Sequence, residues 1–509
     1  MPTKRKAVQT RKQSTAKKRP VNKMRKTKKS RSKSKFKFKH FVILGCIIYI
    51  CSVIYGAFKP LPGGVSKWFE SSKTNDVKLL VDKTYEKEDH MYYNHEIFNE
   101  QLKTIQEADD FIILDMFLFN DTYDGQKNFT KLTETLTQAL IDKKKESPNI
   151  RIYMLTDPIN SFYGSYTPEH YRKLRDNGIA LYETNLVKLR DPNPLYSGLW
   201  RPTLRWLGNN ENGIITNIFS RDAPNVTVRG FGRLLNMKAN HRKTLVTEDA
   251  AIISSSNPHD PSAHHQNIAV KVTGKLQEDL IKSEVSALNM SGSKLSASDF
   301  NITHRAYSSD MDYTTTLVTE GKIKVALLEQ INMTKTGDRV KMGMFYLSDR
   351  DIIKALIKAS KRGVGIQMIL DVNKEAFGKE KPGIPNKPVA HELISKSNDR
   401  IQIKWAVSHG EQFHAKYTLF QYKDSKTSTV ILGSANLTRR NVGDYNMETD
   451  VIISGRSNLP VFHRLNQEFS AMWNNEEAYV TDDYEVKKDP SFIKDVIYRV
   501  QEFTGISSF

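Results

Sequence analysis

Cysteine is nearly missing from this 509-residue chain: there are two, Cys46 and Cys51, and none in the long remainder beyond them. That excludes a disulfide framework or a cysteine-based metal centre from the bulk of the protein and points weakly to a bacterial envelope. Acidic residues are missing from the first 40 positions, which hold 18 Lys and Arg. Taking those 18 from the formal charge of +20 leaves +2 for the remainder. The basic character therefore belongs to a solvated tail that cannot bury a core, not to a basic groove. Both cysteines fall in the run "FVILGCIIYICSVIYGAF", residues 41–58, which has no charged residue and is just long enough to cross a bilayer. Lys59 and Pro60 come directly after it, where a cleavable leader would end in small residues. The excess of Lys and Arg before the run predicts a single-pass cell-membrane protein with a cytoplasmic N-terminus and an extracytoplasmic domain. The tail would lie against anionic lipid.

Beyond the anchor the chain repeats itself. "DDFIILDMFLFND" (109–121) matches "DRVKMGMFYLSD" (338–349). "ALIDKKKESPNIRIYMLTD" matches "ALIKASKRGVGIQMILD", each a helical pattern, a break and a β-rich run that stops at an acid, Asp157 or Asp371. "NHRKTLVTEDAAIISSSN" (240–257) matches "FHAKYTLFQYKDSKTSTVILGSAN" (413–436), and "QNIAVKVTG" matches "METDVIISG" when Gly274 is set on Gly455. Four elements in one order predict a duplicated α/β unit with mixed sheets. The expected layout is a tail 1–40, an anchor 41–58, a juxtamembrane linker 59–90, a first unit 91–305 with an insertion near 186–238, a second unit 306–480 and a C-terminal extension 481–509. The insertion carries Trp200 and Trp206, suited to a lid, a membrane-touching lip or a self-packed excursion.

Of thirteen histidines only His241 and His414 stand in His-x-Lys, with Lys243 and Lys416, and each is followed by a small-residue turn ending in Asn257 or Asn436. Residues two apart on a strand share a face, so each imidazole is delivered beside an ammonium. The turn adds hydroxyl, amide and backbone N–H groups, open to an anion because its side chains are small. Two such half-sites facing each other suit a phosphodiester. Cations and amides neutralise the phosphoryl oxygens, one His attacks phosphorus, and the other protonates the leaving alcohol. The Lys pair supplies the charge, so no metal or cofactor is required.

The paired pattern resembles the phospholipase D superfamily over residues 90–480, with "NHRKTLV" similar to cardiolipin-synthase-type members. The resemblance implies two α/β units related by a pseudo-two-fold, one shared site and a phosphohistidine intermediate. It implies His241 as nucleophile and His414 as general acid/base. Lys243, Lys416, Asn257, Asn436, Ser255 and Ser434 would bind phosphate. Departures are specific. The acid that comes after the Lys in the family is Glu248 in one copy and Gln421 in the other, a structural position. The acid that orients a catalytic His is Glu448 in the second copy, but its counterpart is Asn267. His241 is thus expected to lack a carboxylate unless Asp260 supplies one, and the second half is expected to be the better preserved.

A catalytic unit tethered to a bilayer favours phospholipid substrates, by hydrolysis or cardiolipin-synthase-like transfer. Two alternatives stay open: a nuclease acting on single-stranded nucleic acid, and a low-activity protein that binds anionic lipid.

Overall fold

The computed structural model describes residues 31–123, 129–208, 212–303, 312–373, 375–376, 379–380 and 382–506. The chain divides into an N-terminal unit ending at Tyr49 and a large unit from Ile50 to Phe509; most of the basic tail lies outside the described residues. One helix spans Arg31–Phe58; the most apolar 18-residue window of its Lys37–Phe58 stretch has a mean hydropathy of 2.4, and the stretch is long and apolar enough to cross a membrane.

The large unit contains the duplication as two sheets with one strand order. The first runs Val77–Val81, Ile268–Val272, Ala251–Ser254, Lys243–Thr247, Phe111–Met116, Arg151–Thr156, Ala180–Glu183. The second runs Tyr313–Thr319, Thr449–Arg456, Thr427–Gly433, Lys416–Tyr422, Arg339–Met344, Gly365–Leu370, Ile401–Ala406, with an extra strand at each edge. In both, the last three strands of this order are mutually parallel and the rest antiparallel. Parallel neighbours need a crossover, and the predicted helices supply it at Leu132–Glu146 and Arg350–Lys361. Asp349 starts the second of these by accepting the N–H groups of Asp351 and Ile352.

Central strands such as Phe111–Met116 are buried along their whole length, as expected when both faces of a sheet are covered. One apolar cluster takes Ile253 and Val270 from the first sheet and Val430, Leu432 and Ile453 from the second, so the two units share a core. Each sheet has a further cluster on its far side, around Leu114, Leu140 and Met154 in the first and Met342, Leu356 and Met368 in the second. Each fully buried side chain of this kind contributes about 1.5–3 kcal/mol.

Residues 59–90 are not a linker. Ser72–Thr74 pairs with Tyr313–Thr315 at the edge of the second sheet, and Val77–Val81 pairs with Ile268–Val272 in the first. The first unit thus begins at Val77, because its sheet needs an edge strand equivalent to Tyr313–Thr319. The insertion folds as short helices, including Pro194–Trp200 and Val228–Leu234. The C-terminal extension adds strand Thr481–Asp483 to the second sheet and ends in helix Phe492–Thr504.

Candidate active site

The acids that end the two helix-to-strand passages hold the backbone in front of each imidazole. Asp157 Oδ2 accepts the N–H of Asn240 at 2.6 Å, and Asp371 Oδ2 accepts the N–H of Phe413 at 2.8 Å. The residues so fixed then cross to the opposite unit. Asn240 bridges Met447 in parallel, with His241 N donating to Met447 O at 2.9 Å; Phe413 bridges Gln266, with His414 N donating to Gln266 O at 2.9 Å.

This crossed stitching sets each His beside the other unit's orienting residue. His241 Nδ1 lies 2.8 Å from Glu448 Oε1, and His414 Nδ1 lies 3.0 Å from Asn267 Oδ1. The expectation that Glu448 serves His414 and that His241 lacks a carboxylate is therefore reversed. Asp260 does not serve His241 either; it accepts the N–H of Thr133 and lies 3.5 Å from Lys131.

The serines of the two turns buttress this arrangement. Ser434 Oγ donates to Glu448 Oε2, and Ser255 Oγ donates to Asn267 Oδ1 at 3.2 Å. Their hydroxyls, expected on phosphate, are instead turned to the groups that hold the opposite imidazoles. Asn441 also donates to Glu448 Oε1. Behind Asn267 stands Asp82: Asn267 Nδ2 donates to Asp82 Oδ2 at 3.3 Å and to His265 O at 3.1 Å. Two acceptors on Nδ2 fix the amide with Oδ1 towards His414, so Nδ1 of His414 carries the proton and Nε2 carries the lone pair. Glu320 is the second-unit equivalent of Asp82. It pairs at 2.6 Å with Arg242, whose side chain leaves the strand on the face opposite to its His and Lys neighbours.

Lys243 and Lys416 are almost wholly buried. Lys243 Nζ donates to His241 O at 2.6 Å and Lys416 Nζ to His414 O at 2.5 Å. Phe117 and Phe345, equivalent residues at the strand ends, line the floor. Each ring lies within 5.0 Å of a His ring, and the two Lys Nζ atoms lie 5.0 Å and 5.1 Å from the ring centres. Asn257 Oδ1 accepts the N–H of Leu118 at 3.3 Å, while Asn436 Oδ1 is buried without a hydrogen-bond partner among the described residues. Glu248 caps the start of a strand, accepting the N–H groups of Asp110 and Phe111 at 3.1 and 3.2 Å. Gln421 Nε2 reaches Asn466 at 3.5 Å. Both sit at structural positions, as expected.

Burial sets the electrostatics. It holds His241 well below its usual range, with Lys243 and Lys416 adding to the effect. Burial and then Lys416 do the same to His414. Lys243 is lowered to about 7 by burial, and Lys416 falls well below its usual value through burial and the charge of Lys243. Burial pushes Glu448 up to about 8 against the opposing pull of Lys243. Burial thus disfavours the charged forms of the site's lysines and imidazoles, and a nearby phosphodiester anion would favour them.

Motif spacing points to both His-Lys pairs and both Asn residues; the structure brings the two His and two Lys within electrostatic reach of one another, with Asn257 and Asn436 on the turns that follow. It does not single out Phe117 and Phe345, although "MF" recurs in both copies. Nor does it reveal Asp82, whose segment reads as a linker.

The family described as cardiolipin synthase, PLD-like domain, matches residues 327–473. Residues 327–473 are thus similar to a phospholipase D-like domain. The matched stretch contains His414, Lys416 and Asn436, and the first unit repeats its strand order. Phosphatidylserine synthase from Haemophilus influenzae Rd KW20 is similar in fold, with a TM-score of 0.52 at 9% identity over 86% of this chain and 96% of that one. Polyphosphate kinase from Porphyromonas gingivalis aligns at a TM-score of 0.41 and 13% identity, over 85% of this chain and 54% of that one. The phospholipase D family member Nuc from Salmonella typhimurium aligns at 0.26 and 22%, over 34% of this chain and 99% of that one. No curated protein matches by sequence.

Proposed function

We propose that the chain is a membrane-anchored phosphodiesterase or phosphatidyltransferase that acts on phospholipids through a phosphohistidine on His241. The observation that carries this reading is the unequal pairing of the two imidazoles. A carboxylate on Nδ1–H raises the basicity of Nε2 and stabilises the positive charge that builds on an attacking imidazole, so Glu448 suits His241 to be nucleophile. An amide on Nδ1–H stabilises the imidazolium less, so Asn267 suits His414 to give up its proton.

In the first step His241 Nε2 bonds to phosphorus, the bond from phosphorus to the leaving alcohol breaks, and His414 protonates that oxygen. In the second, His414 Nε2 takes a proton from water or an alcohol, whose oxygen bonds to phosphorus as the P–N bond breaks. Lys243 and Lys416, with the side-chain amides of Asn257 and Asn436, bind the phosphoryl oxygens and stabilise their developing charge. Proton transfer by His414 requires it to be charged at the start, and the substrate's own negative charge favours that form against burial and the neighbouring lysines.

Two features favour phospholipid: the apolar helix that precedes the catalytic unit, and the near-neutral charge of the chain beyond its tail. The names of the matched family and of the phosphatidylserine synthase agree with that class. The basic tail is proposed to hold anionic lipid on the N-terminal side of the membrane.

The test offers the full chain in vesicles phosphatidylglycerol, phosphatidylcholine and single-stranded DNA, with His241→Ala and His414→Ala alongside. Lipid turnover lost in both variants is the expected outcome. DNA cleavage without lipid product would make it a nuclease, and no turnover on any substrate would leave an anionic-lipid binder.

A further inference from the structure

The C-terminal helix Phe492–Thr504 is attached to the protein the wrong way round for a soluble domain. Its polar side faces inwards: Glu502 accepts from Ser348 Oγ at 2.8 Å and from Arg439 N at 2.7 Å, and Tyr498 and Arg499 bond Glu392. Its apolar side faces out, with Ile493, Val496, Val500 and Phe503 at helical spacing and Phe503 84% exposed. Ser348 and Arg439 lie three residues after Phe345 and Asn436, so this helix is tied to the segments that leave the candidate site.

The end of the same helix meets the insertion, and the insertion meets the end of the apolar span. Gly505, at φ +71°, packs so closely on Pro192 that an added Cβ would lie 1.9 Å from its carbonyl oxygen. Asp191 N donates to Gly56 O at 2.9 Å. Arg201 Nη1 donates to Ser52 O at 2.7 Å, and Gly198 admits Val53, whose Cγ2 would lie 2.3 Å from a Cβ placed there. Ser52 sits six residues before the end of the apolar stretch, a rise of about 9 Å along the helix. A segment that touches Ser52 and Val53 therefore reaches the depth of the outer part of the bilayer that this helix enters. Next to those contacts the insertion exposes Leu195, Leu199, Trp206 and Leu207.

We infer that helix Phe492–Thr504 and the insertion segment 194–207 form a collar that is seated in the interfacial layer of the bilayer, holding the candidate site at the lipid surface. The inference rests on the membrane-anchored reading. Its chemistry is that of an amphipathic interfacial element: apolar side chains enter the acyl boundary, Trp206 sits at headgroup level, and the Arg201 guanidinium satisfies a helix carbonyl there.

The experiment uses the full chain with single labelled cysteines in phosphatidylcholine–phosphatidylglycerol vesicles that contain lipid with a nitroxide on the acyl chain. Cys46→Ser alone leaves Cys51 as the reporter of the span. Leu199→Cys, Phe503→Cys and Met333→Cys are each made on the background lacking both native cysteines; all three residues are exposed. The collar requires probes at 51, 199 and 503 to lose most of their emission and the probe at 333 to keep it. Quenching at 51 without quenching at 199 and 503 overturns the collar and leaves the anchor standing. No quenching at 51 overturns both. Energy transfer between copies labelled at 503, without lipid quenching, assigns the face to a second copy and overturns the proposal.

Discussion

At the scale of residues, the two half-sites differ mainly in what touches Nδ1. Glu448→Gln removes the carboxyl group that, on the proposed mechanism, ionises to stabilise the charge building on an attacking His241, and kcat is expected to fall by roughly 10²-fold or more. The same substitution has an opposite effect on stability. Burial raises Glu448 from its ordinary range to about 8. Between the unfolded value and about 8 the native state holds a proton that the unfolded state has lost, so this group's contribution to stability declines as pH rises to about 8. Lys243, Lys416, Asp450 and His241 face it in both proteins. The Tm of Glu448→Gln minus that of the wild type should therefore increase from pH 5 to pH 8, by thermal unfolding in matched buffers. Asn267→Asp gives His414 a carboxylate in place of an amide. Its imidazolium is then better stabilised, and the alkaline limb of the kcat/KM profile, where the general acid loses its proton, should move to higher pH. An unmoved limb would place the proton elsewhere.

At the scale of elements, duplication was the legible part. The repeated strand, helix-to-strand and turn passages map onto seven equivalent strands in each sheet, and Gly274 and Gly455 do correspond. The partner of each imidazole was not legible. An alignment of copies pairs Glu448 with the His of its own copy, whereas the bridges Asn240 to Met447 and Phe413 to Gln266 form only when two folded units meet. Asp82 was hidden for a related reason: its strand reaches the site by pairing with a strand almost two hundred residues away. In the first turn Ser254 Oγ accepts the N–H of Ser256 at 2.8 Å, and Ser255 Oγ donates to Asn267 Oδ1 at 3.2 Å. The second turn has no such room. A Cβ on Gly433 would lie 2.3 Å from Thr449 O and 2.5 Å from Asp450 Oδ1, on the strand that delivers Glu448. Gly433→Ala should lower stability by about 1–3 kcal/mol in chemical denaturation. A loss of activity larger than the loss of folded protein would result from displacement of Glu448.

At the scale of the whole molecule, the shared core and the crossed bridges join the two units around buried basic groups, and on the proposed mechanism the substrate supplies the anion. An unreactive phosphate analogue such as vanadate should therefore stabilise the full chain, by about 2.7 kcal/mol at a hundred times its Kd, and Lys416→Met should remove most of that gain. The central claim is that the two imidazoles are not equivalent and that His241 takes the phosphoryl group. The direct measurement is to quench the enzyme during turnover of phosphatidylglycerol and map the phosphohistidine adduct by mass spectrometry under alkaline conditions. The adduct is expected on the peptide containing His241, and it should accumulate in Asn267→Leu as the second step slows. An adduct on His414, with His241 unmodified, would contradict the account.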